Sequence, residues 1–526
     1  MNNRLEVDGD NISGMGKLIS YSYLVNHIVP GPQSLTYFIA LFLLPVPLLI
    51  SPTVLSHRAI CFTFFPVLVV CLAHAWYVMG GVDVISTDVL LWSLFLWIIK
   101  DPRREFRMLV KRKPGSGHVA GTTSSSEKKK TLPADSLPKQ DHLDYDVVPW
   151  PQDILQRIPW VTSLLISMRL VDWKINERSH DKRQPTHTTG KGHFEFIRDA
   201  LIRQLIGYIA LDLTSSFIQS DAYFHDFSVS ILSPLPPYQH GPALLVLLYN
   251  ISPPLLLRTV VIATQAYCMI SSQYHLPMIP LVFLHYLNLW PDDWSPHLWP
   301  TYFGPVSSIL DHGLAGFWGT YWHQVVRWLV SGSAPAAADM LGYRRPASSS
   351  SSSNRSNGHA NGSASDHHGA SSTKTADADA DAKADAKAKR TKAIRFAILT
   401  LVAFFNSGLV HTGLVPPKPL WSTYSANHLR LLVGGFFWIQ PFGILLELAL
   451  SHALAAVLPR PWRESDLGKA AKRTGNLVWI AMWSCVSFPL LGEAARQLRW
   501  CAYYTVPVSA LRWARGEEWV MWPCLK

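Results

Sequence analysis

Among 526 residues there are only six cysteines, Cys61, Cys71, Cys268, Cys485, Cys501 and Cys524. They are scattered and form no C-x-x-C pair, which argues against a disulfide framework and against a metal site of that kind. Charged residues make up only 16% of the chain, and the basic ones fall between long apolar runs. No internal repeat of the sort that marks transporter halves is visible. The first apolar run has no small-residue cleavage site beside it, so it is expected to be retained, not removed as a signal peptide. The net charge of +11 would suit nucleic acid, but a positive-inside distribution over membrane loops accounts for it. No nucleic-acid partner is expected.

What is present in quantity is apolar sequence of membrane-crossing length. About 20 apolar residues span the hydrocarbon core at about 1.5 Å per residue. Runs at 35–50, 59–79, 84–99, 200–218, 243–257, 260–278, 279–289, 394–410, 431–450 and 477–491 approach that length. The expected fold is all-α, a polytopic membrane protein with about eight to ten transmembrane helices around a buried catalytic chamber. The prolines between 255 and 289 predict broken helices there.

Charge and composition divide the chain further. Residues 1–34 form a polar leader carrying Asn11-Ile-Ser13, a glycosylation acceptor pattern. Loops with Arg58, then Asp83 and Asp88, then Arg103, Arg104, Arg107 and Lys111 alternate in charge, and the basic loop from Arg460 to Arg473 fits the same alternation. This places the leader in the lumen and 100–155 in the cytosol. After the first helices at 35–99, the stretch 100–155 is expected to be a basic tether with too little apolar surface for a core of its own. His142-Leu-Asp-Tyr-Asp146 in it matches an H-x-x-x-D pattern, but with no strand expected beside it the pattern is taken as solvated tether. The segment from Trp160 to Trp173 predicts an amphipathic element at the interface, with Arg169 and Lys174 toward headgroups. Two membrane parts, 156–330 and 393–495, flank a serine-rich and Ala-Asp/Ala-Lys insertion at 331–392, expected to be disordered with helical propensity at its alanine-rich end. Residues 496–526 form the C-terminal tail.

Two stretches put a histidine in apolar, helix-like surroundings: Gly313-Leu-Ala-Gly-Phe-Trp-Gly-Thr-Tyr-Trp-His-Gln324 and Phe404-Phe-Asn-Ser-Gly-Leu-Val-His-Thr-Gly413. On a helix, Gly319 lies one turn before His323 and Gly408 one turn before His411, leaving room under each imidazole. Small residues of this kind also serve close helix packing, with each histidine making one interhelical hydrogen bond, and that alternative stands beside the functional one. For transfer of an acyl group from a soluble thioester to a membrane-dissolved alcohol, His411 suits a general base. His323 or Gln324 can donate to the thioester carbonyl. Arg327, one turn past His323, either binds a phosphate or snorkels to the interface. Trp318 and Trp322, four residues apart, either line a pocket for a rigid ring system or pack against a neighbouring helix. No metal ligand set is expected.

Phe317-Trp-Gly-Thr-Tyr-Trp-His-Gln324 resembles the F-W-G-R-R-W-H-Q segment of wax synthase-like proteins in the membrane-bound O-acyltransferase superfamily. Asn406-Ser-Gly-Leu-Val-His411 is similar to their S-G-x-x-H segment, and the stretch from Leu289 to Gly304 resembles the W-P-x-L-F-G run that precedes the first. The resemblance extends over about 160–491 without the insertion. It implies acyl transfer from coenzyme A to a hydroxyl, with His411 as catalytic base, His323 as its helper and Asn406 in the site. Histidine at position 323 is the fungal pattern, similar to acetyltransferases of terpenoid and meroterpenoid natural products. The implied donor is therefore acetyl-CoA, as co-substrate with no bound cofactor, and the implied acceptor a hydrophobic alcohol. The lipid bilayer and other enzymes of the same pathway are the further partners, and the endoplasmic reticulum is the expected membrane. A long-chain wax ester or sterol ester synthase is the alternative within this chemistry; a transporter or non-catalytic scaffold is the alternative outside it. Two departures stand out. Thr320 and Tyr321 replace the two arginines, and Thr412 follows His411 where many relatives carry glutamate.

Overall fold

The computed structural model describes residues 34–111, 145–167, 170, 173–175, 192–237, 243–290, 294–296, 299, 301–322, 324–344, 373–419, 422–500 and 504–522. In chain order the main elements are helices α1 (Leu35–Leu49), α2 (His57–Met79) and α3 (Val84–Ile99), strands β1 (Phe106–Lys111) and β2 (Tyr145–Val148), and helix α4 (Ile154–Ile166). Strand β3 (Trp173–Ile175) follows, then α5 (His193–Ser220), α6 (Pro254–Tyr286), α7 (Ser307–Gly316), α8 (Thr373–Thr412), α9 (Ala426–Val457) and α10 (Asp466–Gln497).

Among the described residues six helices are long and apolar enough to cross a membrane: α2, α5, α6, the part Asp385–Thr412 of α8, α9 and α10. Their length follows from backbone chemistry, because in hydrocarbon each N–H and C=O must be paired within the helix. Side chains take up that duty where helices start. Asp83 accepts from the Ser86 N–H at 3.0 Å, Ser425 from His428 N–H at 3.2 Å and Ser465 from Gly468 N–H at 3.1 Å. With the shorter apolar helices α1 and α3 the architecture is an all-α, polytopic membrane protein.

The helices differ from the expected runs in several places. Run 260–278 and run 279–289 up to Tyr286 are a single helix, α6, which carries Pro277 and Pro280 in its interior. Packing against α5 through Phe196, Ala200, Met278 and Val282 holds α6 together across the prolines. Run 243–257 is split instead, by Ser252 and Pro253, into Ala243–Ile251 and the start of α6. Asp83 and Asp88 are not loop residues: the first caps α3 and the second lies within it.

The 100–155 stretch is more structured than a tether. Strands β1, β2 and β3 form an antiparallel sheet in the order β2-β1-β3, with Met108 opposite Val148 and Phe106 opposite Ile175. Asp146, from the H-x-x-x-D pattern, sits on β2, so a strand does flank that pattern; His142 and Asn11 lie outside the described residues. The sheet packs on the first helices because its apolar residues are large: Phe106 and Trp173 are buried, and the Trp173 ring meets Trp160 of α4 edge-on at 4.7 Å. Trp160, Val161 and Leu164 form the buried stripe of α4, while Lys174 on β3 is exposed; Arg169 lies outside the described residues. The 331–392 insertion is likewise shorter than expected. Ala334–Met340 is helical, and Thr373 onward continues into α8, with Arg395 of α8 ion-paired to Asp339. Residues 345–372 lie outside the described residues.

A buried ion pair ties α6 to the segment after α5. Arg258 bonds both oxygens of Asp221 at 2.7 and 2.9 Å and donates to the carbonyls of Ile231 and Ser233, each at 2.7 Å. Both side chains are essentially inaccessible. Removing one partner strands the other charge, a loss of about 3–5 kcal/mol. Arg258→Ala is therefore expected to lower the thermal unfolding midpoint of the detergent-solubilised protein sharply. An unchanged midpoint would contradict this assignment.

Candidate active site

The first histidine stretch does not fold as one helix. Gly313 adopts φ 57° and ψ −137°, a conformation that side-chain-bearing residues rarely take, and breaks α7. Past the break, Phe317–Tyr321 winds as a π-helix, Trp322 is extended, and Gln324–Val326 forms a 3-10 turn before the short helix Arg327–Ser331. The described part of this stretch is therefore not the one helix on which the spacings are reckoned. His323 itself lies outside the described residues.

Broken backbone in an apolar setting needs polar partners, and α9 supplies them. The Glu447 carboxylate accepts from Leu314 N–H at 2.9 Å and Ala315 N–H at 3.1 Å, capping the restarted helix. A Cβ on Gly313 would strike that carboxylate. Two turns earlier on the same face of α9, buried Gln440 accepts from Trp318 Nε1–H at 3.2 Å and Trp483 Nε1–H at 3.0 Å, and donates to Phe436 O at 2.8 Å. Neither Gln440 nor Glu447 stood out in the sequence, because run 431–450 registers there only as apolar. Their signal was available: polar and ionisable side chains inside a membrane run are functional candidates by default.

The second histidine is in a regular helix. His411, near the end of α8, makes a 2.7 Å hydrogen bond from Nδ1 to the Ser407 carbonyl. A carbonyl can only accept, so Nδ1 carries the proton and Nε2 is the basic nitrogen. The backbone thus provides the orientation that a carboxylate at position 412 would otherwise give; Thr412 bonds the Leu409 carbonyl of its own helix. The His411 ring stacks on Phe437 of α9 at 3.9 Å. Gly408 does not leave room for a ligand, since a Cβ there would meet the Trp438 indole. At that position close packing is the role of the glycine.

Phe437 joins the two stretches. Its ring lies 6.2 Å from Trp318, which is 6.0 Å from Trp322, and Trp322 is 5.6 Å from Phe303. Aromatic contacts of this kind each add about 0.5–1.5 kcal/mol beyond burial. Phe303 belongs to the third segment singled out in the sequence, which is held to the first by Gly304 N–H to Tyr321 O at 2.8 Å and Gln324 N–H to Tyr302 O at 2.9 Å. The other predicted residues are engaged in structure. Asn406 donates to Val330 O at 2.9 Å and Ser333 Oγ at 3.0 Å, tying α8 to the turn after Arg327–Ser331. Gln324 is buried and donates to Trp322 O at 2.9 Å, and exposed Arg327 reaches its Oε1 at 3.4 Å. Among the described residues no cluster of three or more histidine, cysteine or acidic side chains is close enough to hold a metal.

The strip that carries the broken helix is also the part of the chain that a known family matches. Residues 299–353 match the family described as Membrane bound O-acyl transferase family. Acetyltransferase ataH of Aspergillus terreus is 40% identical over 54 residues, 10% of this chain and 17% of that protein. No solved structure matches. These matches support a membrane acyltransferase of the membrane-bound O-acyltransferase type. The family match covers Trp318, Trp322, Gln324 and Arg327 but not α8, so His411 is joined to that region by geometry, through Phe437.

That junction is testable in pairs. Gln440→Leu leaves two indole N–H groups in the apolar interior without an acceptor, at about 1–3 kcal/mol for each buried donor stranded. Trp318→Phe removes one of those donors. A double-mutant cycle on unfolding free energy in mixed micelles should give a coupling of about 0.5–3 kcal/mol. Additivity of the two substitutions would contradict a shared bond.

Proposed function

We propose that the protein is a membrane-bound O-acetyltransferase that moves an acetyl group from acetyl-CoA to a hydroxyl of a hydrophobic secondary metabolite, a terpenoid or meroterpenoid. The observation that carries the reading is His411: its Nδ1–H is committed to Ser407 O, its Nε2 is the basic nitrogen, and its ring rests on an aromatic series that begins in the matched region. The name printed for the Aspergillus terreus relative supports acetyl as the group, and fungal-type histidine at position 323 supports a natural-product acceptor.

In this reading His411 Nε2 takes the hydroxyl proton as the alcohol oxygen attacks the thioester carbonyl. The carbon–sulfur bond breaks, the acetyl group remains on the alcohol oxygen, and the imidazolium returns its proton to the coenzyme A thiolate. Ester and free thiol leave, and the histidine is restored. His323 or Gln324 would donate to the carbonyl oxygen as negative charge builds there; for Gln324 this requires exchanging its bond to Trp322 O. Rings of Trp318, Trp322 and Phe437 would exclude water that otherwise hydrolyses the donor. Asn406 acts as a positioning residue, holding α8 against the Arg327–Ser331 turn. The membrane is proposed to be that of the endoplasmic reticulum.

The test is a membrane-fraction assay with labelled acetyl-CoA and palmitoyl-CoA against hydroxylated terpenoids, sterols and fatty alcohols. Native protein should transfer label from acetyl-CoA to a terpenoid. His411→Ala should lower the rate by about 10²–10⁴-fold or more while the protein stays membrane-inserted. Near-normal turnover by that variant would remove His411 from the mechanism, and preference for palmitoyl-CoA would replace the acetyl assignment with ester synthesis.

A further inference from the structure

A cavity between the second half of α9 and the first half of α10 takes no part in the proposed transfer. Its volume is about 560 Å³, within the size range of small-molecule sites. Leu450 and Leu454 line one wall and are themselves about half exposed, so that wall opens sideways toward the bilayer. Trp462, exposed on the Arg460–Glu464 turn that joins α9 to α10, also lines the cavity, and indoles at the ends of membrane helices favour the headgroup region.

The basic residues around this cavity fall into two groups. Arg460 pairs with Glu464, Lys469 with Asp466 and Arg473 with Asp311, at 2.8, 3.5 and 2.8 Å. Arg463 and Lys472 line the cavity, and neither has a salt bridge among the described residues. Lys472 interacts electrostatically with Glu447 on the cavity floor, but that carboxylate is already bound by the Leu314 and Ala315 N–H groups. An apolar wall open to lipid, with two cations at its polar end that make no salt bridge among the described residues, has the polarity of an anionic amphiphile.

We propose that the cavity is a binding site for an anionic glycerophospholipid, with its phosphate between Arg463 and Lys472 and an acyl chain along Leu450 and Leu454. The lipid belongs to the leaflet on the side of the Arg460–Glu464 turn, which the positive-inside pattern assigns to the cytosol. Because Glu447 forms the floor and caps the break at Gly313, an occupant would press on the residue that shapes the candidate active site. Binding itself does not depend on the acyl-transfer reading and is measured without activity.

The test uses the full chain reconstituted in phosphatidylcholine vesicles with a trace of photoactivatable phosphatidylserine or, separately, photoactivatable phosphatidylcholine. The phosphatidylserine probe should label peptides from 450–479. Arg463→Gln with Lys472→Gln should cut that labelling roughly tenfold or more, since each cation near the surface contributes substantially to anionic lipid affinity. Arg460→Gln with Lys469→Gln, which removes the paired cations of the same region, should leave it unchanged. The charge-retaining pair Arg463→Lys and Lys472→Arg should restore labelling, which separates lost binding from misfolding. Equal labelling by the neutral probe, or labelling indifferent to Arg463 and Lys472, would overturn the proposal. Displacement of the label by soluble acetyl-CoA would overturn it too and assign the cavity to the donor.

Discussion

Helix α9 faces a helix that is broken at Gly313, and the break can exist in an apolar setting only because α9 brings polar groups to it. Glu447 takes the two N–H groups exposed by the break, and Gln440, two turns away on the same face, takes the indole N–H of Trp318 that follows it. Unsatisfied donors in hydrocarbon cost several kcal/mol each, so α9 is the condition for the irregular strip, not a decoration of it. The geometry of Trp318, Trp322 and Gln324 depends on this hold.

From there the contacts run to the second histidine. Gln440 also accepts from Trp483 of α10, so the π-helical strip after α7, α9 and α10 meet at a single amide, and Phe437, three residues before it, carries the His411 ring. His411 is oriented by its own helix through the Ser407 carbonyl, and α8 is pinned by Asn406 to Val330 and Ser333. The result is an imidazole whose tautomer is set by backbone and whose ring face is set by an aromatic neighbour.

Much of the fold was legible because its physics is one-dimensional. Apolar runs of spanning length mark the crossing helices, and only packing partners distant in sequence decide details such as the continuity of α6 through Pro277 and Pro280. Strands β1 and β2 were hidden for a related reason. Each is short, and what seats the sheet is the contact of Phe106 with Trp173 and of Trp173 with Trp160, residues that no local pattern joins. Within the candidate site, His411, Trp318 and Trp322 are proposed from motif and spacing, and the structure adds their relation through Phe437. Helical periodicity failed at Gly313, where glycine permits a turn that the sequence alone does not announce. Gln440 and Glu447 were passed over because an apolar average conceals single polar residues, although in a membrane those are the residues most in need of a reason.

In the proposed function His411 and the strip from Gly313 to Gln324 form one reaction site joined through Phe437. Its most direct test is an experimental structure of the protein bound to a non-hydrolysable acetyl-CoA analogue. The account predicts the carbonyl next to His411 Nε2, with the rings of Trp318 and Phe437 closing the space around it. An analogue whose carbonyl lies away from His411, on the far side of α9 or outside the helix bundle, would contradict it.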